Sequence, residues 1–266
     1  MKIALVSLSE EGADLLERLQ EGFPEAIIFL SAGITKALPA RKFKSIMNLT
    51  REIFNQYEGL VYAAPCGIVV RAVAPNLQSK TTDPAVVVVD AGGRYAISLL
   101  SGHEGGANDL AMRVGNLLGA ETVITTTTEA LKTVIVGIGC RRGTTAEAIE
   151  KAVRAALRRV GVKPSEVRLL ASVDIKAKES GLLQAAARLG IPLRLISSEE
   201  IRSSQKPFTH SEWVKEKVNL PAVAEPAALL AGRRTRFILP RTTFNGITVA
   251  VARESSWWSV SDPEIP

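Results

Sequence analysis

The sequence has few of the residues from which metal sites and disulfide frameworks are built. It contains two cysteines and two histidines among 266 residues. Cys66 and Cys140 lie 74 residues apart, and together with His103 and His210 they do not match the spacing of a zinc site or of a disulfide-rich domain. We therefore expect no metal site built by the protein itself.

Long apolar runs are lacking as well. The opening segment, residues 1–8, is apolar, but Glu10 and Glu11 cut it off before it reaches the length of a signal-peptide core. No run approaches the roughly 20 apolar residues of a membrane span. Aromatic residues make up only 5% of the chain and are not interleaved with the basic residues, as they are in proteins that stack on bases. We expect a cytoplasmic protein that binds neither membrane nor nucleic acid.

The remaining composition is that of a globular protein. Hydrophobic residues make up 46% of the chain, which suffices for real cores, and the length suggests two domains of roughly 100–150 residues. Strands and helices alternate in both halves, which predicts two three-layer α/β domains with mostly parallel sheets. We expect an amino-terminal domain at residues 1–132, a carboxy-terminal domain at 133–254 and a tail at 255–266, with the ligand site in the cleft between the domains.

The hydrophobic patterns locate the predicted elements. In the first half they predict helices at residues 11–19 and 107–118 and strands at residues 2–7, 26–30, 59–64, 85–90, 95–100 and 122–126. In the second half they predict helices at residues 146–160, 181–189, 211–218 and 225–231 and strands at residues 134–138, 167–173, 193–196, 237–240 and 247–252. The glycine turn Ala91-Gly92-Gly93 between two strands also predicts an antiparallel part in the first sheet.

Charge is distributed unevenly between the two halves. Residues 1–133 carry 12 basic and 14 acidic side chains, a net charge of −2, and residues 134–266 carry 21 basic and 13 acidic side chains, a net charge of +8. Such an excess indicates either an anionic ligand for the second domain or an ordinary solvated basic surface.

The first candidate site is the glycine-rich segment Ser101-Gly102-His103-Glu104-Gly105-Gly106-Ala107-Asn108, between a predicted strand and a predicted helix. We expect it at the carboxyl end of a strand, where α/β sheets bind ligands, with free N–H groups at the helix start for an anion or oxyanion. His103 is suited to proton transfer near neutral pH, which fits hydrolysis of an ester or lactone. Asp83 or Asp90 would act as a general base or orient His103. The alternative is that the glycines only shape a structural turn, with Asp83 an ordinary turn residue and Asp90 an ordinary strand-end residue.

A second glycine turn, Ala64-Pro65-Cys66-Gly67, also leads from a strand into a helix. Arg71 lies one turn into that helix and is suited to bind a carboxylate. The alternative is a solvated surface cation.

The second half has a related loop, Gly137-Ile138-Gly139-Cys140-Arg141-Arg142-Gly143-Thr144. Its GxGxxxG spacing, without an acidic residue about 20 residues on, argues against a dinucleotide fingerprint. Two arginines at a helix start instead indicate binding of carboxylates or phosphates, or else two solvated arginines at a turn. Thr144 and Glu147 form a candidate capping box. Cys140 is either a small buried residue or a nucleophile, and His210 is assigned no role.

These segments resemble a known family. The block from Pro65-Cys66-Gly67-Ile68-Val69-Val70-Arg71 through Lys80, Asp83-Pro84, Asp90 and Ser101-Gly102-His103 to Gly105-Gly106-Ala107-Asn108 resembles the amino-terminal domain of the cobalamin-biosynthesis protein G family. A second block, Val136-Gly137-Ile138-Gly139-Cys140-Arg141-Arg142-Gly143-Thr144 with the later Val223-Ala224-Glu225-Pro226-Ala227-Ala228-Leu229-Leu230, resembles its carboxy-terminal domain.

The resemblance implies cobalt-precorrin-5A hydrolysis in the anaerobic route to vitamin B12, in which a δ-lactone is opened and acetaldehyde is released to give cobalt-precorrin-5B. It implies an anionic cobalt-tetrapyrrole substrate that brings its own cobalt, no further cofactor, and neighbouring pathway enzymes as partners. The residues expected in catalysis are His103, Asp90, Asp83 and Asn108, and those expected to bind substrate are Gly67, Arg71, Ser101, Gly102, Gly105, Gly106, Gly139, Arg141, Arg142, Gly143 and Thr144.

One departure from the family leaves a second interpretation open. Family members usually carry a middle region between the two blocks, whereas here the first block ends near Glu129 and the second begins at Thr133. The chain is therefore either a compact hydrolase or a protein of narrower role. The carboxy-terminal block also resembles a stand-alone pathway protein, which makes a non-catalytic corrinoid carrier the alternative.

Overall fold

The computed structural model describes residues 1–209 and 220–255. The chain divides into two compact units, Met1–Thr127 (unit 1) and Thr128–Pro266 (unit 2). His210, the helix predicted at residues 211–218 and the tail from residue 256, with Trp257 and Trp258, lie outside the described residues.

Unit 1 is built on a seven-stranded sheet with the strand order β3-β2-β1-β4-β5-β6-β7. Its strands are β1 (Ile3–Ser7), β2 (Ile27–Ser31), β3 (Ala40–Phe43), β4 (Gly59–Ala63), β5 (Ala85–Val89), β6 (Tyr95–Leu100) and β7 (Glu121–Val123). Its helices are α1 (Glu10–Gly22), α2 (Ile46–Ile53), α3 (Cys66–Val73) and α4 (Ala107–Leu118), and a short helix, α5 (Thr127–Ala130), follows. Strands β1 to β5 are parallel to one another, whereas β6 runs antiparallel to β5 and β7 runs parallel to β6.

Helices cover both faces of this sheet. Successive side chains of a strand point to opposite faces, and in β1 Ile3 and Leu5 pack in one buried cluster while Ala4 and Val6 pack in another. Helices α1 and α4 contribute to the first cluster, and α2 and α3 contribute to the second. Unit 1 therefore has three layers, and the antiparallel pair predicted from Ala91-Gly92-Gly93 is confirmed as β5 and β6.

Unit 2 has a five-stranded sheet with the order β10-β9-β8-β12-β11. Its strands are β8 (Val134–Gly139), β9 (Val167–Val173), β10 (Leu193–Ile196), β11 (Thr235–Phe244) and β12 (Ile247–Glu254), and its described helices are α6 (Ala146–Arg159), α7 (Ser180–Leu189), α8 (Ser198–Ser203) and α9 (Ala224–Leu230). Strands β8, β9 and β10 are parallel, and β12 runs antiparallel to both β8 and β11.

The sheet of unit 2 is also covered on both faces. Val136 and Ile138 of β8 pack in the cluster that contains the buried residues of α6 and α7. Helix α9 lies against β8 on the other side, and it approaches so closely that a Cβ atom at Gly137 would stand 1.9 Å from the carbonyl oxygen of Ala224. Only glycine allows this approach, because that distance is far below van der Waals contact.

The predicted α/β fold class is confirmed in both units. The sheet of unit 1 is mostly parallel, as predicted, whereas the sheet of unit 2 is mixed, with two parallel and two antiparallel strand pairs. The patterns did not predict β3, α2, α5 or α8. Strand β3 has exposed Arg41 and Lys42 at the edge of the sheet, so it lacks the apolar pattern of a buried strand. No helix in the described part of the chain is long and apolar enough to span a bilayer.

Candidate functional site

Strand direction divides the predicted site of unit 1 between two edges of the sheet. We call the edge with the carboxyl ends of β1, β4 and β5 the carboxyl edge, and the opposite one the amino edge. Because β6 runs antiparallel to β5, with Leu100 paired to Val86, the loop after β6 lies at the amino edge. The His103 loop therefore follows the carboxyl end of its own strand, as expected, but lies at the edge opposite to the carboxyl ends of β1, β4 and β5.

The β5–β6 hairpin brings the His103 loop next to the segment before β5. Ala107 N donates a hydrogen bond to Ser101 O at 3.1 Å and folds the loop over the start of α4. A Cβ atom at Gly105 would lie 2.4 Å from Ser101 Cβ and 3.3 Å from the carbonyl oxygen of Asp83, so glycine permits the close approach of the two segments. An ion pair between Lys80 Nζ and Glu104 Oε1, at 3.0 Å, also joins them.

A cavity of about 490 Å³ opens beside these segments. Tyr57, Gln78, Thr81, Asp83 and Gly105 are among its lining residues. The volume falls within the range of small-molecule sites, roughly 300–1,000 Å³. The amino edge therefore combines a polar cavity with the loop that carries His103.

His103 is exposed, next to a carboxylate. The hydrogen bond from Lys80 is the main reason why the pKa of Glu104 is lowered, and the charge of His103 adds to that effect. Because His103 is exposed, its imidazole can be reached by a bound ligand or by water, as a proton-transfer group requires.

The backbone N–H groups at the start of α4 are already used. Ala107 N donates to Ser101 O, Asn108 N donates to Gly102 O at 3.0 Å, and Leu110 N donates to Gly106 O at 3.0 Å. The prediction of free N–H groups at this helix start was wrong for these residues, because the carbonyl groups of the loop bond to them.

Asn108 anchors the loop from within the core. Its side chain is buried, with Oδ1 accepting from Ser98 Oγ at 2.8 Å and Nδ2 donating to Thr126 Oγ1 at 3.1 Å. A Cβ atom at Gly102 would lie 2.6 Å from Thr126 Cγ2, so the loop rests directly on this network. Both ends of the Asn108 amide are occupied, and these contacts support a positioning role for it, whereas its expected part in catalysis stays a prediction.

The same loop contains a strained backbone position at Ser101. Ser101 has φ 58° and Gly106 has φ 82°, both in the left-handed region. A residue with a Cβ atom adopts this region at a cost of about 1–2 kcal/mol, so Ser101 is strained. Its Oγ is buried and has no hydrogen-bond partner within the described residues. Strain and unsatisfied polar groups of this kind cluster at functional sites.

Asp83 organises the segment before β5. The side chain is 6% exposed, and its carboxylate accepts hydrogen bonds from Gln78 N at 3.1 Å and from Ser79 N at 3.2 Å. These bonds fix the turn that lines the cavity. Asp83 thus lies at the amino edge, in the segment next to the His103 loop, with its carboxylate engaged by these backbone groups.

Asp90 lies at the carboxyl edge, on the far side of the sheet from His103. At roughly 3.3 Å per residue, the five residues of β5 separate the two edges by about 16 Å. Burial alone would raise the pKa of Asp90, but hydrogen bonds from Tyr95 N and from the side chain and backbone of Arg94 outweigh it and lower the pKa. The prediction that Asp90 orients His103 was wrong, because the carboxylate instead caps the β5–β6 turn.

Gly67 and Arg71 also lie at the carboxyl edge. Both are exposed, and the Arg71 guanidinium donates a hydrogen bond to Gly67 O at 3.2 Å. The structure therefore separates these two predicted binding residues from the His103 loop.

In unit 2, Arg141, Arg142, Gly143 and Thr144 form a tight turn after β8. Thr144 N and Oγ1 both donate to Arg141 O, at 3.4 and 2.8 Å, and Gly143 has φ 77°, as the third residue of a type II turn requires. The side chains of Arg141 and Arg142 are exposed at this turn.

A buried carboxylate holds the turn in place. Gly143 N donates to Glu179 Oε1 at 2.9 Å, and Lys176 Nζ lies 3.6 Å from Glu179 Oε2. Glu179 is 9% exposed. A Cβ atom at Gly181 would lie 1.9 Å from Thr144 O, so the start of α7 packs directly on the turn.

The candidate capping box of Thr144 and Glu147 is not formed. Thr145, not Thr144, caps α6, with its Oγ1 accepting from Ala148 N at 3.3 Å, and Glu147 pairs with Arg188 instead of completing a capping box. Gly139 is buried within β8, where a Cβ atom would lie 2.4 Å from Thr248 Oγ1, so glycine is needed there for packing.

Cys140 is half-buried, and burial is the main reason why the pKa of its thiol is raised. A raised pKa makes it a poor nucleophile at neutral pH, which favours the interpretation as a small buried residue. Across residues 1–209 and 220–255, no three His, Cys, Asp or Glu side chains come together as a metal site would require.

Sequence reasoning missed the residues that support both loops. Ser98 and Thr126 hold Asn108, and Lys176 and Glu179 hold the Arg141–Thr144 turn. The one available signal was Ser98, a polar residue in the otherwise apolar strand that leads to the His103 loop.

Comparison with known proteins identifies two family models in the order predicted. The model described as Cobalamin synthesis G N-terminal matches residues 48–129, and the model described as Cobalamin synthesis G C-terminus matches residues 134–252. Four residues, 130–133, separate the two matches, so the blocks adjoin as the sequence predicted.

Curated relatives are similar over most of their length. Cobalt-precorrin-5A hydrolase of Salmonella typhimurium is 26% identical over 324 aligned positions, which cover 86% of this chain and 91% of the relative. The protein of the same name from Priestia megaterium is 24% identical over 354 positions, with 94% of each chain covered. Protein CobE of a Sinorhizobium species is 33% identical over 128 residues, which cover 47% of this chain and 83% of CobE.

The Salmonella alignment is longer than the 266-residue chain, so that relative contains at least 58 residues with no counterpart here. The two adjoining domain matches and these relatives together establish the family: the chain belongs to the cobalamin synthesis G family.

Proposed function

We propose that the chain is a cobalt-precorrin-5A hydrolase of cobalamin biosynthesis. The observation that carries the proposal is the meeting of the His103 loop, the Asp83 segment and a cavity of about 490 Å³ at the amino edge of unit 1. The choice of substrate is supported by the relatives that bear this name over nearly their whole length.

The reaction implied by the family has two stages. Water adds to the lactone carbonyl, and the bond to the C20 oxygen breaks to leave the ring A acetate and a C20 hydroxyl. Removal of the hydroxyl proton then lets the bond between C20 and the macrocycle break, with the electron pair remaining on the macrocycle, and C20 leaves with its methyl group as acetaldehyde. Both stages need a group that accepts a proton.

His103 is the proton-transfer group in this proposal. It is exposed on a loop whose base is fixed by the buried Asn108 amide, so the imidazole is both accessible and anchored. Asp83 shapes the cavity by holding the turn at residues 78–83. Proton transfer by such a positioned group typically increases the reaction rate by roughly 10²- to 10⁴-fold.

Unit 2 offers cations that suit the carboxylate arms of an anionic corrinoid. Arg141 and Arg142 are exposed on a turn that Glu179 holds in place, and guanidinium groups suit bidentate binding of carboxylates. The cobalt belongs to the substrate, and the proposal needs no cofactor or metal held by the protein. We also propose that the enzyme acts in the cytoplasm beside the neighbouring enzymes of the pathway.

Incubation of the purified chain with cobalt-precorrin-5A tests this function. We expect one acetaldehyde to be released per corrinoid converted, measured with an aldehyde-specific reagent. Mass spectrometry should show a corrinoid product that contains two carbons fewer than the substrate. Tight binding of the corrinoid without acetaldehyde would favour the alternative, a corrinoid carrier. If the chain neither binds the corrinoid nor releases acetaldehyde, both the hydrolase and the carrier hypotheses are overturned.

A further inference from the structure

Unit 2 has a groove between α6 and the hairpin that joins β11 to β12. Its volume is about 530 Å³, within the range of roughly 300–1,000 Å³ for small-molecule sites. Ala148, Ala152 and Ala155 line it on the helix side, and Phe244 and Ile247 line it on the hairpin side. The alanines leave space along α6 because their side chains end at Cβ, so the groove offers an apolar surface.

Cations border this apolar surface. Lys151 and Arg158 also line the groove, and both are exposed. They lie two turns apart on α6, about 10 Å along the helix axis at 1.5 Å per residue. Glu147, the carboxylate among the lining residues, is paired with Arg188. The groove therefore has a positive rim whose charge is not cancelled within it.

The groove continues from the arginine turn. Thr145, which caps α6, is among its lining residues and follows directly after Thr144 of that turn. Arg159 extends the cationic surface at the other end, where its guanidinium lies 5.2 Å from the centre of the Phe244 ring. Basic side chains thus occur along the full length of the groove.

We propose that this groove binds the macrocycle of an anionic corrinoid, with the apolar ring against the three alanines and Phe244 and the carboxylate arms on Lys151 and Arg158. The chemistry that fits is a flat apolar body with several negative charges, since neither a purely polar anion nor an uncharged apolar molecule uses both features. The choice of a corrinoid among such ligands rests on the proposed function.

Titration calorimetry with cobyrinic acid, a corrinoid with free carboxylates, and with its fully methyl-esterified derivative tests the two features separately. Ala155→Trp fills the groove without changing charge, and the double variant Lys151→Glu and Arg158→Glu reverses its rim. Lys163→Glu is the matched control, because Lys163 is exposed in the same unit and lies outside the groove.

We expect Ala155→Trp to weaken binding of both ligands by at least roughly tenfold, and the double variant to weaken cobyrinic acid by roughly tenfold or more while changing the ester little. The affinity of the double variant should also lose most of its dependence on salt. Unchanged affinity in both groove variants, or an equal loss in Lys163→Glu, would overturn the inference. If Ala155→Trp fails to fold, the surface charge variant still decides the result.

Acetaldehyde assays separate this inference from the proposed function. Wild-type turnover with unchanged KM in the groove variants would refute the groove and leave the hydrolase intact. Corrinoid binding that depends on the groove, in a chain that releases no acetaldehyde, would refute the hydrolase and leave the groove intact.

Discussion

The backbone amide of Gly143 donates a hydrogen bond of 2.9 Å to the carboxylate of Glu179, 36 residues further along the chain. Glu179 is buried, and Lys176 lies 3.6 Å from its second oxygen. The position of the Arg141–Thr144 turn therefore depends on a charged pair contributed by a different segment of unit 2.

Glu179→Ala should loosen this turn and weaken corrinoid binding. It removes the acceptor for Gly143 N–H and leaves the half-buried Lys176 without its carboxylate, which costs about 1–3 kcal/mol of unfolding free energy. Glu179→Gln keeps an oxygen acceptor and should retain most of the affinity. Urea unfolding and corrinoid titration measure the two effects. Wild-type affinity in Glu179→Ala would show that the turn does not need this carboxylate.

Gly143→Ala should lower both stability and corrinoid affinity. Nothing lies within 4 Å of a Cβ atom at this position, but φ is 77°, so alanine there costs about 1–2 kcal/mol in backbone strain. Gly190→Ala is the matched control, since Gly190 has φ 63° in equally open space at the end of α7. Both variants should show the same loss in thermal unfolding. Equal loss of affinity in both would count against the arginine turn as a binding element.

Asn108→Ala should reduce turnover beyond its effect on folding. The variant leaves Ser98 Oγ buried without its acceptor, at a cost of about 1–3 kcal/mol, and releases the base of the His103 loop. Thr50→Val is the control, because it breaks the buried hydrogen bond to Tyr62, 3.0 Å long, elsewhere in unit 1. Both variants should unfold more easily in urea, and only Asn108→Ala should lower kcat. A similar kcat for the two variants would remove Asn108 from the positioning of the loop.

The two cysteines should react with iodoacetamide at different rates. Cys66 is exposed, so the reagent can reach it. Burial raises the pKa of the Cys140 thiol, so at a given pH the thiolate fraction of Cys140 is smaller than that of an ordinary thiol. Mass spectrometry of a time course at mildly alkaline pH should show Cys66 modified first, and the rate at Cys140 should continue to rise at a pH where an ordinary thiol is already ionised. If Cys140 is modified faster than Cys66, Cys140 becomes a candidate nucleophile again.

Much of the fold follows from local patterns. The valine run of β5 and the glycine turn after it predicted a buried strand followed by an antiparallel partner, and both are present. That hairpin already fixes the edge at which the His103 loop lies, because reversing β6 moves its carboxyl end next to the start of β5. The predicted hairpin therefore already separated Asp90 from His103, and the hypothesis that Asp90 orients His103 did not take the reversed direction of β6 into account.

The supporting contacts were beyond reach of the sequence because they join distant segments. Glu179 meets Gly143 only when the loops after β8 and β9 lie side by side, and neither spacing nor residue type indicates that pairing. The helix cap was misplaced by one residue because Thr144 and Thr145 have the same capping chemistry, and only the backbone geometry distinguishes them.

The most direct test of the account is acetaldehyde release from cobalt-precorrin-5A by wild-type protein and by His103→Ala at saturating substrate. The exposed loop position of His103 means that the substitution removes the imidazole without opening a core cavity, so folding should be unaffected. We predict that wild-type protein releases acetaldehyde and that the variant binds the corrinoid but is slower by roughly 10²- to 10⁴-fold. Release by His103→Ala at the wild-type rate would contradict the assignment of proton transfer to this residue.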